Sequence, residues 1–329
     1  MKVLFIGGTG NISMASSRLA FEKGIDLYHL NRGKTTTTLS GVKTILGDIT
    51  KPGTLAELQK HDWDVVVNWI AFTAEDIERD ILLFKDKTKQ YIFISSASCY
   101  QTPLLYPIIT ESTPLHNTLW DYSYNKIKCE DRLMKAYREE GFPITIVRPS
   151  LTYDTVIPIA IGGFRDYNTA DRILKGQKII VHGDGTSLWT VTHSDDLAKG
   201  FVGLLGLTQA IGHAFHITSD EILSWNTIYK ILAESLGREA NMVHIASDFI
   251  CKIEPSYTGT LLADKGESVI FDNTKIKTFV PDFKATIPFA HGIKRTLRWL
   301  DEKPDRKIIN PEETKRIENI LSAYKRLLG

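Results

Sequence analysis

The chain reads as an α/β protein, a doubly wound parallel sheet carrying a smaller, discontinuous C-terminal α/β substrate domain. Three observations predict this. Short, wholly apolar runs alternate with helical patterns through the first half, as expected for strands buried on both faces between crossover helices. A glycine-rich segment, Gly7-Gly8-Thr9-Gly10, follows the first apolar run and opens the first helix. Beyond residue 150 the strict alternation breaks, returns near residues 189–218, and breaks again.

The elements follow in order. Residues 3–6 (Val-Leu-Phe-Ile) are a fully apolar strand and 12–23 the helix after it. Residues 27–30 and 44–46 give two more strands, 55–61 a helix, 65–70 a strand, 74–87 a helix and 91–95 a strand. Residues 122–140 form a long helix, and 144–147 a strand closed by Arg148-Pro149, where proline lacks the amide proton that pairing needs. Residues 190–192, a helix over 195–205 and residues 215–218 read as a return to the main sheet. The dinucleotide-binding domain is therefore expected at 1–150 plus 189–218, and the substrate domain at 151–188 plus 219–303. Residues 304–329 form a charged helical tail with Ile317, Ile320, Leu321 and Tyr324 at helical spacing.

Bulk properties narrow the function. The 329 residues are 43% hydrophobic with a net charge of +1, so the core is sizeable and the balance argues against a dedicated nucleic-acid binder. The first strand begins at Lys2, which leaves no room for a signal peptide. No apolar run approaches the roughly 18 residues of a membrane span. Cys99, Cys129 and Cys251 lack metal-ligand spacing and read as reduced thiols. A cytoplasmic protein with no metal and no membrane contact is expected.

The glycine segment is where chemistry starts. Gly7 permits a tight turn, and Gly10 lets a pyrophosphate approach the backbone at the helix N-terminus, beside Asn11 and Ile12. Ser13 stands where a third glycine is usual and is small enough for close helix–strand packing. The second strand ends Leu30-Asn31-Arg32-Gly33-Lys34, without the acidic residue that bonds the ribose of NAD. Asn31 can bond a hydroxyl, while Arg32 and Lys34 suit the extra phosphate of NADP, so the NAD(P) reading leans to NADP. Asp48 and Ile49 are placed at the adenine, and residues 68–72, with Ala71, along the cofactor.

Residues 122–128 contain two overlapping Tyr-x-x-x-Lys pairs, Tyr122/Lys126 and Tyr124/Lys128. At helical pitch Tyr122 and Lys126 share a face with Cys129, Leu133, Ala136 and Tyr137; Tyr124 and Lys128 fall among charged residues. The first pair is expected inside, the second in water. A cation about 4 Å from a phenol at an effective dielectric near 20 supplies about 4 kcal/mol, enough to bring a tyrosine toward neutrality. Ser95-Ser96-Ala97-Ser98 ends the fifth strand, on the side where ligands bind.

On these residues the chain resembles the extended short-chain dehydrogenase/reductases, the NAD(P)-dependent epimerase/dehydratase group, over about residues 1–300. The motifs stand as Gly7/Gly10/Ser13, Ser96, Tyr122/Lys126 with Glu130 in register, and Arg148-Pro149. Residues 183–185 with 193–198, and 271–275, are similar to later family segments. The resemblance implies a Rossmann-type fold, Tyr122 as acid/base, Lys126 on the ribose, Ser96 on the reacting oxygen, Ser95 and Pro149 beside the cofactor, and a homodimer. Ser96-Ala97-Ser98 lacks the acids of sugar-nucleotide dehydratases, which argues against dehydration. The Asn31-Arg32-Gly33 end and Ser13 resemble a divergent branch that includes plant stem-loop RNA-binding relatives.

The leading expectation is a nucleotide-sugar epimerase, with Ser98, Asn168, Arg172, Trp189 and Arg295 as candidate substrate contacts. The alternatives are an NADPH-dependent reductase of small carbonyl substrates and a cofactor-binding, RNA-associated or regulatory protein. His182, His193, His213, His216 and Trp225 are expected to be structural.

Overall fold

The computed structural model describes residues 1–33 and 39–329. The first half runs β1 (Lys2–Ile6), α1 (Ser13–Glu22), β2 (Asp26–Asn31), β3 (Lys43–Leu46), α2 (Pro52–Gln59), β4 (Val65–Asn68) and α3 (Ala74–Phe84). It continues through β5 (Tyr91–Ile94), β6 (Ile108–Ile109), α4 (Asp121–Glu140) and β7 (Ile144–Arg148). Seven strands pair in parallel in the order β12-β7-β5-β4-β1-β2-β3, with β12 at Ala214–His216. The winding direction reverses between β1 and β4, so a crevice opens at the carboxyl ends of those two strands.

The central strands are largely apolar because they are covered twice. Leu4 and Ile6 join Ile77, Ile81 and Leu133 of α3 and α4, while Val3 and Phe5 join Ala20, Leu197 and Phe201 on the opposite face. The start of α3 is fixed by a capping box between Thr73 and Asp76. The end of α4 is set by Gly141 in the left-handed region at φ 70°.

The second half contributes β8 (Leu151–Tyr153), α5 (Asn168–Leu174), β9 (Ile179–His182), β10 (Leu188–Trp189), β11 (Val191–His193) and α6 (Ser194–Leu204). After β12 come β13 (Leu223–Ser224), α7 (Trp225–Ser235), β14 (Met242–Ile245), α8 (Ser247–Ile253) and the single turn α9 (Thr258–Thr260). The chain ends with β15 (Ile270–Phe271), α10 (Thr274–Phe279), α11 (Phe289–Asp301) and α12 (Pro311–Leu328). One expectation is corrected here. The strand near residues 190–192 does not enter the main sheet; β11 pairs with β8 in a separate parallel ribbon, while α6 packs on the main sheet as expected and β12 joins it. The helix of the charged tail, α12, docks Ile317 and Ile320 into the core of the second half.

Candidate active site

The glycine turn is shaped by what lies against it. Gly7 sits at φ 88°, and a Cβ there would stand 2.5 Å from Ile70 Cγ2, so only glycine fits the turn beside β4. Ser13 ties the turn from inside. Its hydroxyl donates to Gly7 O at 2.9 Å and accepts the Gly10 amide at 2.8 Å. Among the described residues no acceptor claims the Asn11 and Ile12 amides, which stand at the start of α1. Behind the turn, His29 Nε2 lies 2.9 Å from Ser17 Oγ, and burial lowers its pKa to about 4.

A cavity of about 760 Å³ runs from this turn across the carboxyl ends of the strands, within the usual size of a ligand site. Gly7, Gly10, Ile12, Ser95, Ser96, Ser98, Tyr122, Lys126 and Pro149 all line it. The inward Tyr-x-x-x-Lys register holds. Lys126 is 5% exposed, whereas Tyr124 is 42% exposed with the Lys128 ammonium 4.3 Å from its ring centroid. Tyr137 departs from the expected inward face; it is 37% exposed at the end of α4.

Lys126 does not act as expected on the phenol. Its ammonium donates to Ala71 O at 2.7 Å and Ile94 O at 2.8 Å, and burial lowers its pKa to about 8. Burial likewise raises the Tyr122 phenol above its ordinary value, opposed by the Ser96 hydroxyl. Tyr122 is flanked by the rings of Phe72 and Trp120, with centroids 5.6 and 5.1 Å away. Burial thus leaves this tyrosine protonated in the chain alone, the form of a general acid.

Beneath the serines lies a buried ion pair. Arg148 Nη2 and Nε donate to Glu130 at 2.6 and 3.0 Å, and the Ser95 hydroxyl donates to the same carboxylate. Burial alone would favour neutral Arg148, but the Glu130 charge outweighs it and holds the guanidinium protonated. Ser95 thereby anchors the end of β5 rather than offering its hydroxyl to a ligand.

Several expected contacts lie elsewhere. The side chain of Asn11 braces the turn to β8, donating to Thr152 O and accepting the amides of Asp154 and Thr155. Ala71 faces the lysine rather than the cavity. Asn31 ends β2 and exposed Arg32 follows it, both outside the cavity lining. Lys34 lies outside the described residues. Asp48 accepts the Thr50 amide and hydroxyl, which hold its carboxyl below the usual range, and Ile49 is a core residue.

Of the substrate candidates, Ser98 and Trp189 line the cavity. Asn168, Arg172 and Arg295 do not. Asn168 binds Asn310 and Thr314 of the C-terminal segment, Arg172 binds Lys178 O and Glu318, and Arg295 reaches Asp195. Besides Lys126, the cationic lining comes from Arg165, Lys265 and Arg316, none of which carried a sequence signal. Glu313 and Arg316 bring α12 into the cavity wall. Buried His182, His193 and His216 are tied to Lys265 O, the Asp195 amide and Tyr100 with Asp272 O.

The sequence model described as NAD dependent epimerase/dehydratase family matches residues 3–217. The chain belongs to this family. Among solved structures of like fold are an epimerase from Methanothermobacter thermautotrophicus (TM-score 0.74, 17% identity, 92% of this chain and 93% of that one). A UDP-glucuronic acid 4-epimerase from Bacillus cereus with UDP-glucuronic acid and NAD has TM-score 0.72 and 18% identity, covering 92% and 99%. A UDP-glucose 4-epimerase from Bifidobacterium longum with NAD+ and UDP has TM-score 0.73 and 19% identity, covering 93% and 100%. A curated relative is the chloroplast stem-loop binding protein of 41 kDa b of Arabidopsis thaliana, 25% identical over 264 residues. That match covers 74% of this chain and 65% of the relative. Among the described residues no helix is long and apolar enough to cross a membrane.

Proposed function

We propose that this family member binds NAD(P) along the glycine turn and epimerises a nucleotide sugar by reversible hydride transfer. The observation that carries the reading is one cavity lined both by the glycine turn and by Ser96, Tyr122 and Lys126. The fit is supported by the Gly7 turn, the unclaimed amides of Asn11 and Ile12, and the open side of Gly10, where a Cβ would meet only Ser13 Oγ at 3.4 Å. The nicotinamide, when bound, supplies the hydride acceptor and donor. With the positive charge of the oxidised nicotinamide to favour its phenolate, Tyr122 Oη would take the proton of the sugar hydroxyl and later return it. Ser96 holds that oxygen. Lys126 has three N–H groups, two of them on backbone carbonyls, and the third would be left for a ribose hydroxyl. Arg165 and Arg316 suit a diphosphate, a role first assigned by sequence to Arg172 and Arg295. The lean to NADP rests on Arg32 and on the lack of an acid at the end of β2.

The test is turnover of UDP-glucose and UDP-glucuronic acid with added NAD or NADP, read by product NMR, with mass spectrometry of co-purifying ligand. Tyr122→Phe is expected to abolish turnover and Tyr124→Phe to retain most of it; the reverse pattern defeats the assignment. The stem-loop binding relative supports a second reading, a cofactor-binding RNA-associated protein. Salt-sensitive stem-loop binding without turnover selects that reading, and NADPH oxidation with simple aldehydes or ketones selects a small-carbonyl reductase.

A further inference from the structure

Three serines lead to the phenol at the carboxyl end of β5. The Ser123 hydroxyl, fully buried on α4, donates to Ser98 Oγ at 2.8 Å. Ser98 Oγ stands 2.8 Å from Ser96 Oγ, and Ser96 lines the cavity together with Tyr122. A serine hydroxyl has one proton to give and two lone pairs to offer. Ser98 Oγ receives the Ser123 proton, so its own is free to point at Ser96. Ser96 Oγ also accepts the Ser98 amide at 3.2 Å. With Ser98 as the donor, both Ser96 lone pairs are filled, and its proton is left for the phenol and the cavity. Asn117 steadies this turn, its Nδ2 donating to Ser98 O at 2.8 Å and to Ala263 O at 2.6 Å.

We propose that Ser98 and Ser123 are positioning residues that fix Ser96 as a hydrogen-bond donor toward Tyr122 Oη, so that a directed hydroxyl chain holds the tyrosinate that forms during reaction. The proposal rests on Tyr122 being the acid/base. The chain is closed at its inner end by buried Ser123, so it carries no proton to solvent. Its contribution is alignment: each donated bond polarises the next hydroxyl and strengthens the last one. It fills a role that Lys126, with its ammonium on Ala71 O and Ile94 O, leaves open.

The test uses the full chain with every tyrosine replaced by 3-fluorotyrosine, and follows the phenol titration of residue 122 by fluorine NMR. Loss of one resonance in Tyr122→Phe assigns it. Ser98→Ala is expected to raise the midpoint by about one pH unit, the loss of a hydrogen bond that supports a charged form. Ser123→Ala gives a smaller rise, and Ser98→Thr, which keeps the hydroxyl, restores the wild-type value. If Ser98→Ala fails to fold, Ser123→Ala against Ser123→Thr carries the same comparison. An unchanged or lowered midpoint in the alanine variant, or a rise that threonine does not reverse, overturns the proposal. Turnover in the same samples separates the two claims: a hydroxyl-dependent shift in a chain without turnover keeps the alignment and removes the enzymatic role.

Discussion

Lys126→Met should remove a pH dependence of stability that the structure writes into the wild-type chain. The ammonium is buried beside Phe93, and burial brings its pKa from 10.5 to about 8. Above about pH 10.5 the lysine is neutral in both folded and unfolded chains, and it adds no pH-dependent term. As pH falls toward 8 the unfolded chain takes up a proton that the folded chain does not, so stability falls. Below about 8 the penalty is complete, at about 3 kcal/mol. Lys126→Met also strips Ala71 O and Ile94 O of their donor, at about 1–3 kcal/mol each, but that loss does not vary with pH. The informative quantity is therefore the wild-type minus variant stability, measured by urea unfolding from about pH 7 to about pH 10.5. It should climb by about 3 kcal/mol in favour of the wild type. A difference flat to about 0.5 kcal/mol would refute the buried, desolvated ammonium.

Glu130→Ala leaves the Arg148 guanidinium buried without its counter-charge and should cost about 3–5 kcal/mol in equilibrium unfolding; the double change Glu130→Leu with Arg148→Met should recover much of that loss. Gly8→Ala places a Cβ 2.5 Å from the buried His29 ring, and should lower stability by about 1–3 kcal/mol, with part of the loss regained on adding His29→Ala.

What the sequence disclosed follows from the range of each interaction. The strands β1, β4, β5 and β7 were legible because both faces are covered, which makes most of their residues apolar. The inward face of α4 was legible because helical pitch is local: Lys126, Cys129, Leu133 and Ala136 are all buried. Asn168 and Arg172 were misread because their partners, Asn310, Thr314 and Glu318, come from more than 140 residues away. The three-residue β11 was assigned to the wrong sheet because so short a run does not specify its neighbour. The expected pull of Lys126 on Tyr122 failed on direction, since spacing sets which face a side chain occupies but not which acceptors its ammonium finds. Arg165 and Arg316 offered no signal, being single charges in a loop and on a charged helix.

The docking of α12 gives the cavity an order of assembly. Its floor is made by residues near Gly7, but its wall includes Glu313, whose carboxylate receives the Gly162 amide and the Tyr257 hydroxyl, and Arg316 beside it. At a synthesis rate of about 5–20 residues per second, the glycine turn emerges about 15–60 s before Arg316. On the ribosome the strand-and-helix half can close its sheet while the opposite wall is still untranslated. The completed chamber requires α12, and a nascent chain that still lacks it presents only an open shelf.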